Sequence, residues 1–218
     1  MLNDIEFVNQ FSAELGQDYR KAKSFVTDVP TQALLHVRSF SHKLTSLLAE
    51  KRSINFDSPN LYDRIELLNQ RRLIDVKTTR ALHKLRTDGN RGAHPEKYHL
   101  TPEQLQQLSQ RAIKNLLQLV DTLFKQVTGN TCPTYYFEEF DALAGRDLCY
   151  RAVMERDAES QYLVGMSLKA RALMQREQEL ALQERSEDSV KERSSASFKQ
   201  ASYWFSQAAE HDINALFE

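Results

Sequence analysis

The stretch Leu85-Arg86-Thr87-Asp88-Gly89-Asn90-Arg91-Gly92-Ala93-His94-Pro95 concentrates the side chains in this chain best suited to chemistry. A histidine with a near-neutral pKa can move a proton such as that of a ribose 2′-OH. An arginine can hold and neutralise a phosphate through two parallel hydrogen bonds. Seven residues separate Arg86 from His94, two separate Arg91 from His94, and Asn90 lies four before the histidine. Three readings of the stretch stay open. In the first, Gly89 breaks a helix, Asn90 bonds neighbouring backbone and His94 locks a connecting loop. In the second, these residues contact a nucleotide or RNA without cleaving it. In the third, His94 with Arg86 or Arg91 cleaves RNA without a metal.

The surroundings are basic. Eight cations lie between Arg64 and Arg91 (Arg64, Arg71, Arg72, Lys77, Arg80, Lys84, Arg86, Arg91), against three acids, Glu66, Asp75 and Asp88. In a chain of net charge −1 this is a concentrated patch, and such clusters are how phosphate binding begins. The expected nucleic-acid contacts are Arg71, Arg72, Arg80, Lys84, Asn90 and Arg91. A solvated face around ordinary helix ends is the plainer alternative. Only Tyr62, at the edge, interleaves an aromatic with these bases, so stacking of single-stranded bases has weak support.

Other chemistry is sparse. His36 and His42 sit near apolar helix faces and read as packed or surface histidines. Glu138, Glu139 and Asp141 form an acidic cluster without His or Cys neighbours for a metal. Cys132 and Cys149, 17 apart, lack metal-type spacing and read as buried or free thiols. There is no P-loop, GxSxG, HExxH or GxGxxG. No metal and no cofactor are expected.

These residues need a scaffold, and composition indicates its class. The chain has 28 leucines in 218 residues but only 6 Gly and 5 Pro. Few chain breakers and many strong helix formers predict an all-α protein rather than a sandwich, barrel or Rossmann sheet. The balanced charge excludes a global basic field or an acidic tail. The acidic start, Met1-Leu2-Asn3-Asp4-Ile5-Glu6, has no basic n-region or apolar h-region, and no run of 18 apolar residues exists. A cytoplasmic protein without membrane contact is expected.

Periodicity then places the elements. Residues 5 to 27 read as one amphipathic helix on Phe7, Phe11, Leu15 and Ala22. Pro30 opens a second, which carries Ala33, Leu34, Val37, Leu44, Leu47 and Leu48 to near Arg52. A short helix follows on Leu61, Ile65 and Leu68. Asp75 caps another on Val76, Thr79, Leu82 and Leu85, with Gly89 ending it as a left-handed cap. Thr101-Pro102-Glu103-Gln104 is a capping box that opens the longest helix, which Gly129 ends. Residues 1–130 thus read as an N-terminal helical bundle of about five helices.

Residues 131–218 differ. Thr131 to Phe137 reads as the join between two domains, its aromatics packing at the junction. Tyr150-Arg151-Ala152-Val153-Met154-Glu155-Arg156-Asp157 and Phe205-Ser206-Gln207-Ala208-Ala209-Glu210-His211-Asp212 share an order of residue types at an offset of 55. Self-similarity at a fixed period predicts stacked helical hairpins. A polar insertion, 176–197, reads as a solvated helix extension plus a flexible segment. Applying the offset to the end of the chain leaves a helix just beginning, the expectation for a fragment of a longer array.

Two resemblances add to this reading. Ala158-Glu159-Ser160-Gln161-Tyr162-Leu163-Val164-Gly165 and Ala201-Ser202-Tyr203-Trp204-Phe205-Ser206-Gln207-Ala208-Ala209-Glu210 resemble the two helices of a Sel-one-like repeat, the hairpin relative of the tetratricopeptide (TPR) repeat. The 176–197 stretch replaces that family's short Gly-containing turn. The resemblance implies a protein partner bound by the repeat. The Leu85–Pro95 stretch, with Ala33-Leu34-Leu35-His36-Val37-Arg38 and Leu61-Tyr62-Asp63-Arg64-Ile65 upstream, resembles the helical domain of unknown function found beside restriction-enzyme motor subunits, within the HEPN superfamily (higher eukaryote and prokaryote nucleotide-binding). That resemblance implies an association with bacterial defence, a homodimer through the bundle, and, in ribonuclease members, an Arg, often with a polar residue beside it, then four to six residues, then a His. The Arg86 and Arg91 spacings to His94 both depart from that pattern. The leading expectation is a non-enzymatic interaction or scaffold protein; the alternative is a metal-independent endoribonuclease or RNA-binding protein using Arg86–His94.

Overall fold

Side chains close the backbone at most of the helix starts in the bundle. In the computed structural model, which describes residues 1–140, 148–183 and 193–210, α1 (Asp4–Phe11) begins at an Asn3–Glu6 capping box. Ser12 then adopts an extended backbone, and its hydroxyl caps α2 (Ala13–Phe25). The expected single helix over residues 5 to 27 is therefore two, because Ser12 offers the next turn a better bond than continuation does. Next come α3 (Pro30–Glu50), α4 (Leu61–Gln70, capped by Asn60) and α5 (Val76–Ala93, capped by Asp75). A single turn, α6 (Pro95–Tyr98), leads to α7 (Pro102–Thr128). The Thr101–Gln104 capping box opens α7 and Gly129, at φ 77°, closes it. The fold is all-α. The first 130 residues hold seven helices rather than about five, one of them a single turn.

Gly89 is not a helix end. It lies inside α5, which continues to Ala93, and among the described glycines only Gly129 has a positive φ. Its role is packing. A Cβ at Gly89 would stand 2.6 Å from Arg38 Cβ, and one at Gly92 would stand 2.3 Å from Leu34 Cβ and 3.0 Å from Thr31 O. Spaced three apart, the two glycines share one face and let α5 settle on α3. A glycine that fills no left-handed site still has this second use, and its local sequence does not tell the two apart.

The core of the bundle is one contiguous cluster running from Phe7 through Leu34, Phe40, Leu82 and Ile113 to Val127. The aromatics after α7 pack onto this bundle. Two-residue strands β1 (Leu2–Asn3) and β2 (Tyr135–Tyr136) pair in parallel, and Tyr135 stacks on Phe7 at 4.0 Å. Phe137 lies under both Lys23 (4.6 Å) and Lys114 (5.1 Å). Beneath the clamp, the fully buried Asp4 accepts from Lys23 Nζ at 2.8 Å and from Tyr19 Oη at 2.6 Å. Burial and the Asp4 carboxylate push the Tyr19 phenol well above its usual pKa.

The second half makes an antiparallel hairpin. A π-helical turn (Arg151–Glu155) leads into α8 (Ala158–Gln183), and α9 (Arg193–Ala209) returns along it. Gly165 receives the Phe205 ring near one end. Ser197 Oγ reaches Gln175 Oε1 (2.7 Å) and Ser194 N reaches Glu179 Oε1 (3.0 Å) near the other. The 176–197 stretch is accordingly helical at 176–183 and 193–197, with Ser194 and Ser197 buried as polar rungs between the helices. Its middle lies outside the described residues, as do His211 and Asp212 of the second 55-offset copy. The first copy contains the π turn, whereas the described part of the second is α-helical. The hairpin meets the bundle at Val29, which packs with Leu148 and Leu163, and through Lys21–Glu159 at 2.9 Å.

Candidate functional site

Because α5 runs unbroken from Val76 to Ala93, the sequence from Arg86 onward is read around a cylinder rather than along a loop. Arg86, Asn90 and His94 fall at i, i+4 and i+8 on one flank. Arg86 and His94 are roughly 12 Å apart along the axis. Arg91, five residues after Arg86, lies well around the helix from it though only three before His94, and its Nη1 is 3.4 Å from Asp88 Oδ1. His94 is the C-cap of α5 and is exposed.

The Arg86 flank meets α4 and α3. The Arg86 guanidinium sits 5.4 Å over the Tyr62 ring, and His83, one turn earlier, lies 5.2 Å from the same ring. His83 Nε2 contacts Glu66 Oε1 at 2.8 Å, so that carboxylate is already engaged. Tyr62 is 48 % exposed and offers its free side to solvent. Across Gly89 stands Arg38. Burial lowers the His42 pKa, and the neighbouring Arg64 and Arg38 charges lower it further. Arg64 Nη1 reaches Ser46 Oγ (3.2 Å), its Nε donates to Ser58 O (3.1 Å), and it lies 5.0 Å from the Phe56 ring.

The junction of α3, α4 and α5 therefore gathers Arg38, Arg64 and Arg86 around His42 and Tyr62. Among the described residues none of the three arginines makes an ion pair, and Arg86 Nε is shut off from solvent without a hydrogen-bond partner. Guanidinium groups converging from three helices without ion pairs are chemically able to hold an anion, with an aromatic shelf beside them.

A family model described as "Domain of unknown function (DUF4145)" matches residues 20–136. The chain belongs to this family. No curated protein and no solved structure matches the chain. The DUF4145 region runs from within α2 to β2, so it contains the whole junction and all of α5.

Within the DUF4145 bundle the expected contact residues divide. Arg86 faces the junction, and Asn90 follows it one turn along α5. Arg80 and Lys84 are exposed along α5. Arg71 and Arg72 form the exposed turn after α4, Arg72 with a left-handed φ of 55°. Arg91 belongs to the α7 side, beside Asp88. Burial raises the Asp88 carboxyl above its usual range, partly opposed by Arg91, Arg111 and Lys84. Its Oδ2 is buried without a hydrogen-bond partner.

Arg38, His42 and His83 complete the junction without having been expected there, and Tyr62, expected only at the edge of the basic cluster, stands at its centre. Two signals were available. His83 precedes Arg86 by one helical turn, and Tyr62 precedes Glu66 by one, so each pair shares a face. Neither pairing says that the two faces meet. Among the described residues no group of three or more His, Cys, Asp or Glu is placed to hold a metal ion, and no helix is long and apolar enough to cross a membrane.

Proposed function

We propose that the protein is a non-enzymatic interaction protein, a HEPN-like bundle that contacts nucleic-acid phosphates joined to a Sel-one-like hairpin that takes a protein partner. The observation that carries the first part is the set of three arginines without ion pairs converging beside exposed Tyr62. The antiparallel α8–α9 pair, with Gly165 under Phe205, supports the TPR-related part. Free Cys132 and Cys149 suit a reducing, cytoplasmic setting. Pairing of two bundles into a homodimer belongs to the same reading, and light scattering at several protein concentrations measures it.

The deciding experiment is fluorescence anisotropy with a labelled RNA in EDTA across a salt series. Binding should weaken steeply with salt, and each of Arg38→Gln and Arg86→Gln should reduce the log–log slope by roughly 0.7 if the target is single-stranded. Absence of binding at low salt, or binding indifferent to salt, rejects the proposal.

One observation favours a second reading, a metal-independent endoribonuclease: Arg86, Asn90 and His94 share a flank of α5 despite their long spacing. The same mixtures run on a denaturing gel decide it. RNA cut in EDTA by the wild type and left whole by His94→Ala supports the enzyme; RNA left whole by both excludes it.

A further inference from the structure

We infer that the cleft between α5 and α7, on the opposite side of α5 from the arginine junction, binds a small phosphate-bearing ligand with two or more negative charges. The cleft has a volume of about 240 Å³. That is below the usual range for drug-sized pockets, so it suits one small molecule or its phosphate end rather than a polymer. Its α5 wall carries Lys77 and Lys84, two turns and roughly 10 Å apart, with the small Ala81 between them. Its α7 wall carries Asn115, Gln118 and Leu119.

Three features specify the ligand. Both lysines are exposed and, among the described residues, neither makes an ion pair, so their charge is available at the two ends of the cleft. The Asn115 amide has a buried Nδ2 with no hydrogen-bond partner. Buried donors are almost always satisfied, and a turn of the Asn115 side chain toward the cleft would let a ligand oxygen supply the missing acceptor. Ala81 and Leu119 give an apolar floor for the body of the ligand.

The field around the cleft favours an anion. Asp88, one turn beyond Lys84, is itself faced by Lys84, Arg91 and Arg111. Asp75 stands beside Lys77 but is engaged in capping Thr78. Two separated ammonium groups match the spread charge of a diphosphate better than a single small anion. The cleft lies outside the arginine junction, and of its residues only Lys84 is shared with the expected nucleic-acid contacts.

The test is titration calorimetry of the full chain with pyrophosphate and with ADP, against chloride at matched ionic strength and against succinate. Saturable one-to-one binding of the phosphate ligands is expected, weakened about ten-fold in Lys77→Gln and again in Lys84→Gln. Asn115→Leu should weaken binding as well while holding or raising the melting temperature, because it removes a buried amide that lacks a partner. Lys199→Gln, on α9, should bind as the wild type does. No heat beyond the salt control, equal binding of succinate, or unchanged affinity in both lysine variants would overturn the inference. Both lysines are exposed, so their variants keep the test decisive if Asn115→Leu fails to fold.

Discussion

Gly89 of α5 and Arg38 of α3 approach so closely that a Cβ on the glycine would stand 2.6 Å from the arginine's own Cβ. The contact fixes the distance between the helices that carry Arg86 and Arg38. Gly92 makes the same kind of approach to Leu34. Gly89→Ala and Gly92→Ala should each destabilise the bundle by about 1–3 kcal/mol, since the clashing atoms lie next to backbone and cannot swing away. Urea unfolding measures it; wild-type midpoints would show that α3 and α5 separate freely.

His42 makes stability depend on pH. Burial, with Arg64 and Arg38 nearby, lowers its folded pKa below the unfolded value. The unfolded chain then binds more protons at mildly acid pH. Stability is complete above about pH 6.5 and declines as the pH falls through that value. His42→Gln should flatten this part of a urea-midpoint profile taken between about pH 5 and 8. Asp18 acts lower. Burial pushes its carboxyl up, but hydrogen bonds from His36, Lys43 and Ser39 outweigh that and hold it down. Its contribution is present above the usual carboxylate range and is lost below it.

The Asp4–Lys23 pair is buried, with side-chain exposures of 0 % and 7 %. Removing one partner strands a charge. Lys23→Met should cost about 3–5 kcal/mol in guanidinium unfolding. Asp4→Leu combined with Lys23→Met should cost less than the sum of the two single changes. Strict additivity would mean that the pair does not act as a unit.

In the hairpin, a Cβ on Gly165 would stand 2.7 Å from the Phe205 ring. Phe205→Ala should loosen α8 against α9 by about 3 kcal/mol or more. Hydrogen exchange should speed up across both helices while the α3–α5 amides keep their protection. A uniform rise would show that hairpin and bundle unfold together.

The two thiols should differ in rate. Burial and the Asp121 carboxylate push Cys132 up to about 11, while Cys149 is exposed. Ellman's reagent near pH 8 should label Cys149 first and Cys132 slowly, because only the thiolate reacts. Asp121→Asn should quicken the slow phase. A single fast phase for both would refute the assignment.

The all-α class, the caps at Asp75 and Thr101 and the Gly129 stop were legible in sequence, since each depends on residues within one or two turns. So was the concentration of charge between Arg64 and Arg91. Tertiary structure alone decided what Gly89 does. The same residue can end a helix or admit a neighbour, and the choice lies with Arg38, about fifty positions away in sequence. That choice turned a supposed loop into about one more turn of α5, and it sent Arg86 and Arg91 to opposite flanks. The arginine junction was hidden for the same reason: its members come from three helices. Helical periodicity tells which residues share a face, but only packing tells which faces meet.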